Sequence, residues 1–141
     1  MTAEWEAFKA RLGGHLVTAN KVFPIVRKDG TGTVRTNYIV AKSAPPDRLD
    51  DGRAAGYQVP DSDKRFTFDV RIITTAADGL DIWMRAVFTQ VLGHRLVVPG
   101  RRCTPIELVQ NVEEGDGYDR AADLYYRDLS FRFWSRRGET P

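Results

Sequence analysis

Apolar residues recur along the chain in two rhythms, and the changes of rhythm mark the predicted elements. Trp5, Phe8 and Leu12 fall at helical spacing. Thr2 stands where a capping hydroxyl belongs, Glu4 and Glu6 suit the positive end of a helix, and Gly13-Gly14 ends it. A narrow-faced helix over about residues 2–13 is predicted. The best helical pattern comes later: Leu80, Trp83, Met84, Val87, Phe88, Val91 and Leu92 follow the i, i+3, i+4, i+7 rule, with Asp78 as the expected cap and Gly93 as the stop.

The other segments alternate with a period of two. Residues from Lys21 to Ser43 read as two strands joined by a hairpin. Val22 to Val26 form the first, interrupted by Pro24; Lys28-Asp29-Gly30-Thr31-Gly32-Thr33 is the turn; Val34 to Ala41 form the second. Residues 44–63 carry Pro45-Pro46, Asp50-Asp51-Gly52, Gly56 and Pro60 and read as a long irregular loop, with Tyr57 and Val59 as a possible short strand inside it. From Arg65 to Thr75, Phe66, Phe68, Val70 and Ile72 alternate with Thr67, Asp69, Arg71 and Ile73. Arg95–Val98 and Pro105–Glu113 read as shorter strands. Ala122 to Arg136 reads as the longest strand. In it Tyr125, Leu129, Phe131 and Phe133 share one side with Arg127, which is expected near a rim; Tyr126, Asp128, Ser130, Arg132 and Trp134 share the other. Residues 136–141 are expected to form a mobile tail. The order helix, hairpin, loop, strand, long helix, strands predicts one α+β domain over 1–141. Its largely antiparallel or mixed sheet would carry the N-terminal helix and the long amphipathic helix.

Composition adds limits. The chain has 141 residues, 42% hydrophobic and 28% charged, which is ample for one core. A net charge of +2 argues against a protein that mainly grips phosphate backbones, although Arg101-Arg102 and Arg136-Arg137 are the pairs such a role would use. No apolar run approaches bilayer length, and the opening Met1–Glu6 shows no signal-peptide pattern, so neither membrane insertion nor export is expected. Cys103 is the only cysteine, which fits a reducing compartment.

Catalytic and metal signatures are weak. His15 and His94 have no zinc-like spacing, and Gly30-Thr31-Gly32-Thr33 lacks the Lys-Ser/Thr of a phosphate loop. Cys103 has cations nearby but no indicated base. Glu113, Glu114, Asp116 and Asp119 do not follow the calcium-loop pattern and read as a solvated loop. No metal, no cofactor and no enzymatic activity are expected. An enzymatic or small-ligand-binding domain with a cleft beside the long loop remains the rival class.

Surface features point to contacts between proteins. Arginine outnumbers lysine sixteen to five, which suits interface ion pairs but also matches codon bias. Charge is uneven along the chain, with a cationic surplus in residues 1–41 and an anionic one in residues 111–141, so complementary surfaces of identical subunits are one explanation. Trp134 and Tyr126 beside Arg132 are large aromatics on a nominally solvent face. Either a partner covers them or the helix over residues 2–13 packs there.

The whole chain resembles the tail terminator (minor tail) proteins of long-tailed siphophages. The resemblance rests on the N-terminal helix ending at Gly13-Gly14, the hairpin around Asp29-Gly30, and Asn37-Tyr38-Ile39-Val40 before a long polar loop. It continues through Phe66–Ile72 feeding Leu80–Leu92, and ends in the strand Asp123–Phe131. It implies a homo-oligomeric ring, a hexamer, that caps the tail tube at the head–tail junction of the virion and is assembled in the host cytoplasm. Such a ring stops tube polymerisation and offers a docking surface to the head-side connector. Its partners would be itself, the tube protein and the connector, with no membrane, no sequence-specific nucleic acid and no cofactor. By position, Arg27, Lys28, Asp29, Arg35 and the 47–63 loop would lie at ring faces or between subunits, with Arg132 and Trp134 as further interface candidates. A head–tail connector or stopper protein is the neighbouring alternative, and a small non-viral ligand-binding domain the distant one.

Overall fold

A computed structural model describes residues 2–24, 28–29, 32–33, 36–42, 47–48, 63–111 and 117–137. Among the described residues two helices lie on one face of a mixed, mostly antiparallel sheet, as the alternating segments require.

Helix α1 spans Ala3–Leu12. The Thr2 hydroxyl accepts from the Trp5 amide at 3.1 Å, and the chain turns at Gly13. Helix α2 spans Gly79–Val91. Asp78 precedes it, but its side chain makes no capping bond; its own backbone is already helical, so the carboxylate is not aimed back at the first amides. At the other end Gly93 takes a left-handed φ of 79° and its amide donates to the Ile106 carbonyl at 2.8 Å. Leu80, Trp83, Ala86, Val87 and Val91 are buried as the helical spacing demands, while Leu92 falls beyond the last turn and is partly exposed.

The strands are β1 (Val22–Phe23), β2 (Lys28–Asp29), β3 (Gly32–Thr33), β4 (Tyr38–Lys42), β5 (Asp47–Arg48), β6 (Lys64–Thr74), β7 (Arg101–Cys103), β8 (Glu107–Asn111), β9 (Gly117–Asp119) and β10 (Leu124–Arg137). Among the described residues eight of them form one sheet with the path β1-β4-β6-β10. Along the outer edge of β10 lie β7, β8 and β9 in turn, while β5 flanks the start of β6. The long antiparallel pair of β6 and β10, from Tyr125 opposite Thr74 to Ser135 opposite Lys64, is the spine.

Four expectations change here. The segments at 22–26 and 34–41 do not pair as one hairpin: β1 runs parallel to β4, and the hairpin β2–β3 is a separate ribbon within the connection. A parallel neighbour needs a long crossover, which residues 24–37 supply. Residues 95–98 form no strand, although Leu96 and Val98 are buried and Ile106 bonds back to Gly93 and His94. Arg136 and Arg137, expected in the tail, pair with Arg102 and Arg101 and extend β10. Asp47–Arg48 pair with β6, while residues 49–62, including Tyr57 and Val59, lie outside the described residues.

The core lies between helices and sheet. Trp5, Phe8 and Leu12 of α1 meet the even residues of β6 (Phe66 to Ile72), the odd residues of β10 (Leu129 to Phe133) and the buried stripe of α2. Phe68 is the hub, with ring centroids 5.1 Å from Trp5, 5.0 Å from Phe8 and 5.8 Å from Phe133. Arg127 shares the apolar side of β10 and is 7% exposed rather than at a rim. Its guanidinium reaches out along α2 to Asp81 at 2.8 Å, passing Met84.

Candidate functional site

Helices α1 and α2 pack on one side of the sheet, so period-two alternation sends the odd residues of β6 and the even residues of β10 to the other. That second face has two halves. Toward β4 it is apolar: Tyr38, Val40, Ile73, Ala122 and Leu124 form a second buried cluster, joined by Phe23 and Tyr126. Gly117 belongs to its rim, because a Cβ there would fall inside the Tyr126 ring.

Toward the C-terminal half of β10 the face is polar, aromatic and open. The register sets Arg71 opposite Asp128, Asp69 opposite Ser130, Thr67 opposite Arg132 and Arg65 opposite Trp134. The Arg71 guanidinium donates to both carboxylate oxygens of Asp128, at 2.7 and 3.0 Å, and lies 4.4 Å from the Tyr126 ring centroid. The Asp128 hydrogen bond raises the Arg71 pKa against a partial opposing effect of burial. The Ser130 hydroxyl donates to Asp69 at 2.6 Å. On the other side Arg132 Nε donates to Glu107 of β8 at 2.7 Å, and its guanidinium lies 5.0 Å from the Trp134 ring. The Trp134 backbone is fixed by exchange with Thr104, whose hydroxyl accepts from the Trp134 amide at 2.9 Å. Each half-exposed pair stabilises the fold by at most about 1 kcal/mol. Their consequence is geometric: they hold two aromatic rings and two guanidinium groups in fixed positions on a stiff strand pair.

This arrangement suits recognition. Arginines and aromatics held ready on a rigid sheet are the residue types that anchor protein interfaces. The polar face pairs guanidinium with carboxylate at Arg71–Asp128 and Arg132–Glu107, and hydroxyl with carboxylate at Ser130–Asp69. A shallow cleft of about 440 Å³, lined by Lys21, Thr36, Asn37, Thr75 and Trp83, opens near the ends of β4 and β6. There the Asn37 side-chain oxygen Oδ1 accepts from the Thr75 amide at 2.8 Å. Cys103 is buried, and desolvation raises its thiol pKa, opposed in part by a Ser135 hydrogen bond. His15 closes a turn by accepting from the Val17 amide, and His94 lies against the Thr89 carbonyl. Among the described residues no three His, Cys, Asp or Glu side chains converge as a metal site would require. No helix among them is long and apolar enough to cross a membrane.

Of the residues singled out from sequence, Arg132 and Trp134 come together on the open face. The alternative that residues 2–13 pack over them is overturned: α1 lies on the opposite face, against Phe68 and Phe131. Lys28 and Asp29 form β2, one strand of the small β2–β3 ribbon, which does not pair with the main sheet. Arg27 and Arg35 lie outside the described residues, as do Glu113, Glu114 and Asp116. Asp119 serves a turn, accepting from the Ala121 and Ala122 amides. Sequence reasoning missed Asp69, Arg71 and Glu107, whose partners sit on other strands. Their polar alternation was visible, but only the register joins them to Asp128, Ser130 and Arg132.

No family model matches the sequence, and no curated protein matches it. Among solved structures, a chain of the virion of a native gene transfer agent particle has a similar fold, with a TM-score of 0.65 and 19% identity over 94% of this chain and 93% of that one. At that identity the likeness establishes a shared fold across nearly the whole of both chains.

Proposed function

We propose that this chain is a structural protein of a phage-like particle. In this reading copies assemble into a ring, a hexamer, that caps the tail tube, stops its polymerisation and receives the head-side connector. The observation that supports it most is the fold likeness to a virion chain over 94% of the sequence. The open face of the sheet supplies what such a role needs: Trp134, Tyr126, Arg132 and Arg71 held in place by ion pairs, ready to be covered by another protein. A ring of this kind works by repeated matching of one interface around a closed circle, so it needs neither catalysis nor a cofactor. The place of action is the top of the tail tube, with no membrane and no sequence-specific nucleic acid involved. A stopper in the head–tail connector would have the same architecture and differs only in its partner.

The test is solution mass across a concentration series, with and without tube protein and connector protein. Discrete rings, alone or on meeting tube protein, are expected. A protein that stays monomeric with both partners overturns the reading; a ring that binds the connector but ignores the tube makes it a stopper.

A further inference from the structure

Three strand ends meet at one end of the sheet. β1 and β4 begin side by side, because Val22 lies opposite Ile39 in parallel register, and β6 ends next to them, with Ile73 opposite Tyr38. Lys21, Thr36 and Asn37 therefore stand just before the two parallel strands, and Thr75 just after the antiparallel one. With Trp83 of α2, which is 6% exposed, they line the cleft of about 440 Å³. The backbone at Lys21 is held on both sides: its amide donates to the Thr18 carbonyl at 3.0 Å, and its carbonyl accepts from the Ile39 amide at 2.8 Å. Asn20, just before it, takes a left-handed φ of 60°.

The cleft offers donors. Asn37 Oδ1 already accepts from the Thr75 amide at 2.8 Å and from its hydroxyl at 3.3 Å, which leaves Nδ2 as the open group of that side chain. Among the described residues, the side chains of Lys21, Thr36 and Trp83 make no hydrogen bond or ion pair. The lining thus holds an ammonium, a hydroxyl, an amide nitrogen and an indole N–H, with one full positive charge and no carboxylate. A partly buried ammonium without a partner is costly, and an anion in the cleft offsets that cost. A single cation matches a single carboxylate. A nucleic-acid backbone draws on several cations along its length, which this cleft does not supply. Nor is it deep enough to bury about 70–90% of a free ligand, as pockets for small molecules do. A carboxylate carried on a protein already docked bears no second cost of association, so a shallow site is enough for it.

We propose that this cleft is a socket for an exposed aspartate or glutamate side chain of a partner protein that docks on this end of the subunit. Charge complementarity selects the carboxylate, and the placement of this chain's own acids selects a different protein over a second copy. Asp78, Asp81, Asp119 and Asp123 lie at the same end of the sheet as the cleft. Elsewhere Glu6, Asp69, Glu107 and Asp128 are engaged by Lys9, Ser130, Arg132 and Arg71. Neighbours in a ring meet through different surfaces, so the cleft of one copy does not face that same end of the next. The proposal rests on the assembly reading above and names the chemistry that a tube or connector protein presents to this end.

Two measurements test it. In the first, N-acetylglutamate amide is titrated into isotope-labelled protein, with the glutamine analogue as neutral control and inorganic phosphate as the competing anion. The Trp83 indole N–H and the Asn37 side-chain amide are followed by NMR. Saturable shifts in the millimolar range are expected for the glutamate compound, and binding at least about tenfold weaker for the glutamine analogue. Lys21→Gln should weaken binding about tenfold. Asn37→Asp keeps an acceptor for Thr75 but adds a negative charge, and should abolish binding. In the second, sedimentation with tube protein and with connector protein should show docking weakened about tenfold by Lys21→Gln, with self-assembly unchanged. Equal shifts with the glutamine analogue, no shifts at all, or wild-type docking of both partners by Lys21→Gln overturns the socket and leaves the ring. Tighter binding of phosphate overturns it in favour of a phosphate ligand. Weakened self-assembly with unchanged docking overturns the partner in favour of a second copy. Charge-selective titration of the cleft in a protein that forms no ring with either partner supports the socket and overturns the ring.

Discussion

Replacing Glu4 by alanine should destabilise the fold by about 3 kcal/mol, because it breaks a buried charge network that fastens α1 to the sheet. Glu4 sits in the first turn of α1 and is 6% exposed; Arg101 of β7 is 8% exposed. Between them stands the buried Ser135 of β10, whose hydroxyl donates to Glu4 Oε1 at 2.9 Å and accepts from Arg101 Nε at 2.8 Å. The two charges are 3.7 Å apart, and Arg101 Nη2 also donates to the Ser135 carbonyl at 2.6 Å. Removing one member of a buried pair typically costs about 3–5 kcal/mol, since the other charge stays desolvated. The separation and the retained bonds to Ser135 put this case at the low end. For a domain of this size that corresponds to a fall in Tm of about 10 °C. Urea unfolding and calorimetry measure both. Glu4→Gln keeps an acceptor for Ser135 and isolates the charge. The double variant Glu4→Leu/Arg101→Met removes both charges and should recover most of the loss, so the costs of removing either charge alone do not add. A loss below about 1 kcal/mol for Glu4→Ala, or a double variant no better than the single, refutes the reasoning.

Phe68→Ala should cost about 3–5 kcal/mol in urea unfolding, because Phe68 is fully buried where α1, β6 and β10 meet, and a cavity there has little room to collapse. Trp134→Ala should leave stability within about 1 kcal/mol but reduce assembly at least tenfold by sedimentation, as expected of a half-exposed interface anchor. The Cys103 thiol pKa is raised by burial, so the folded state holds the thiol proton more tightly than the unfolded chain does. Its stabilising effect is therefore complete below the ordinary thiol value, about 8.5, and is lost as pH rises from there through the folded value. Between pH 7 and 10 the wild type should lose more stability than Cys103→Ala, and its thiol should resist alkylation until the protein unfolds.

The helices and long strands were legible in the sequence because each has its own period. Trp5, Phe8 and Leu12, and the stripe from Leu80 to Val91, repeat at helical spacing, and both sets are buried. Phe66–Ile72 and Leu129–Phe133 alternate, and both sets face the helices. With the capping hydroxyl of Thr2 and the glycines at 13 and 93, these local signals were enough for an α+β fold. They fail where the cause is not local. The cap expected at Asp78 depends on backbone angles that its neighbours impose. The parallel placement of β1 beside β4 depends on how a crossover packs.

The candidate site divides in the same way. The chain's own order of residues put Tyr126, Arg132 and Trp134 on one side of a strand, because alternation is a property of the backbone. Which side stays open was decided only when both helices took the other face. The register of β10 with β6 and β8 then chose the partners: Arg71 for Asp128, Asp69 for Ser130, Glu107 for Arg132. Arg101 and Arg102 make the same point in two adjacent residues. They are identical in sequence, yet one is buried against Ser135 and Glu4 and the other faces outward beside Arg136. Pairing across strands is a long-range interaction with no counterpart in the spacing of residues along the chain, so folding alone determines it.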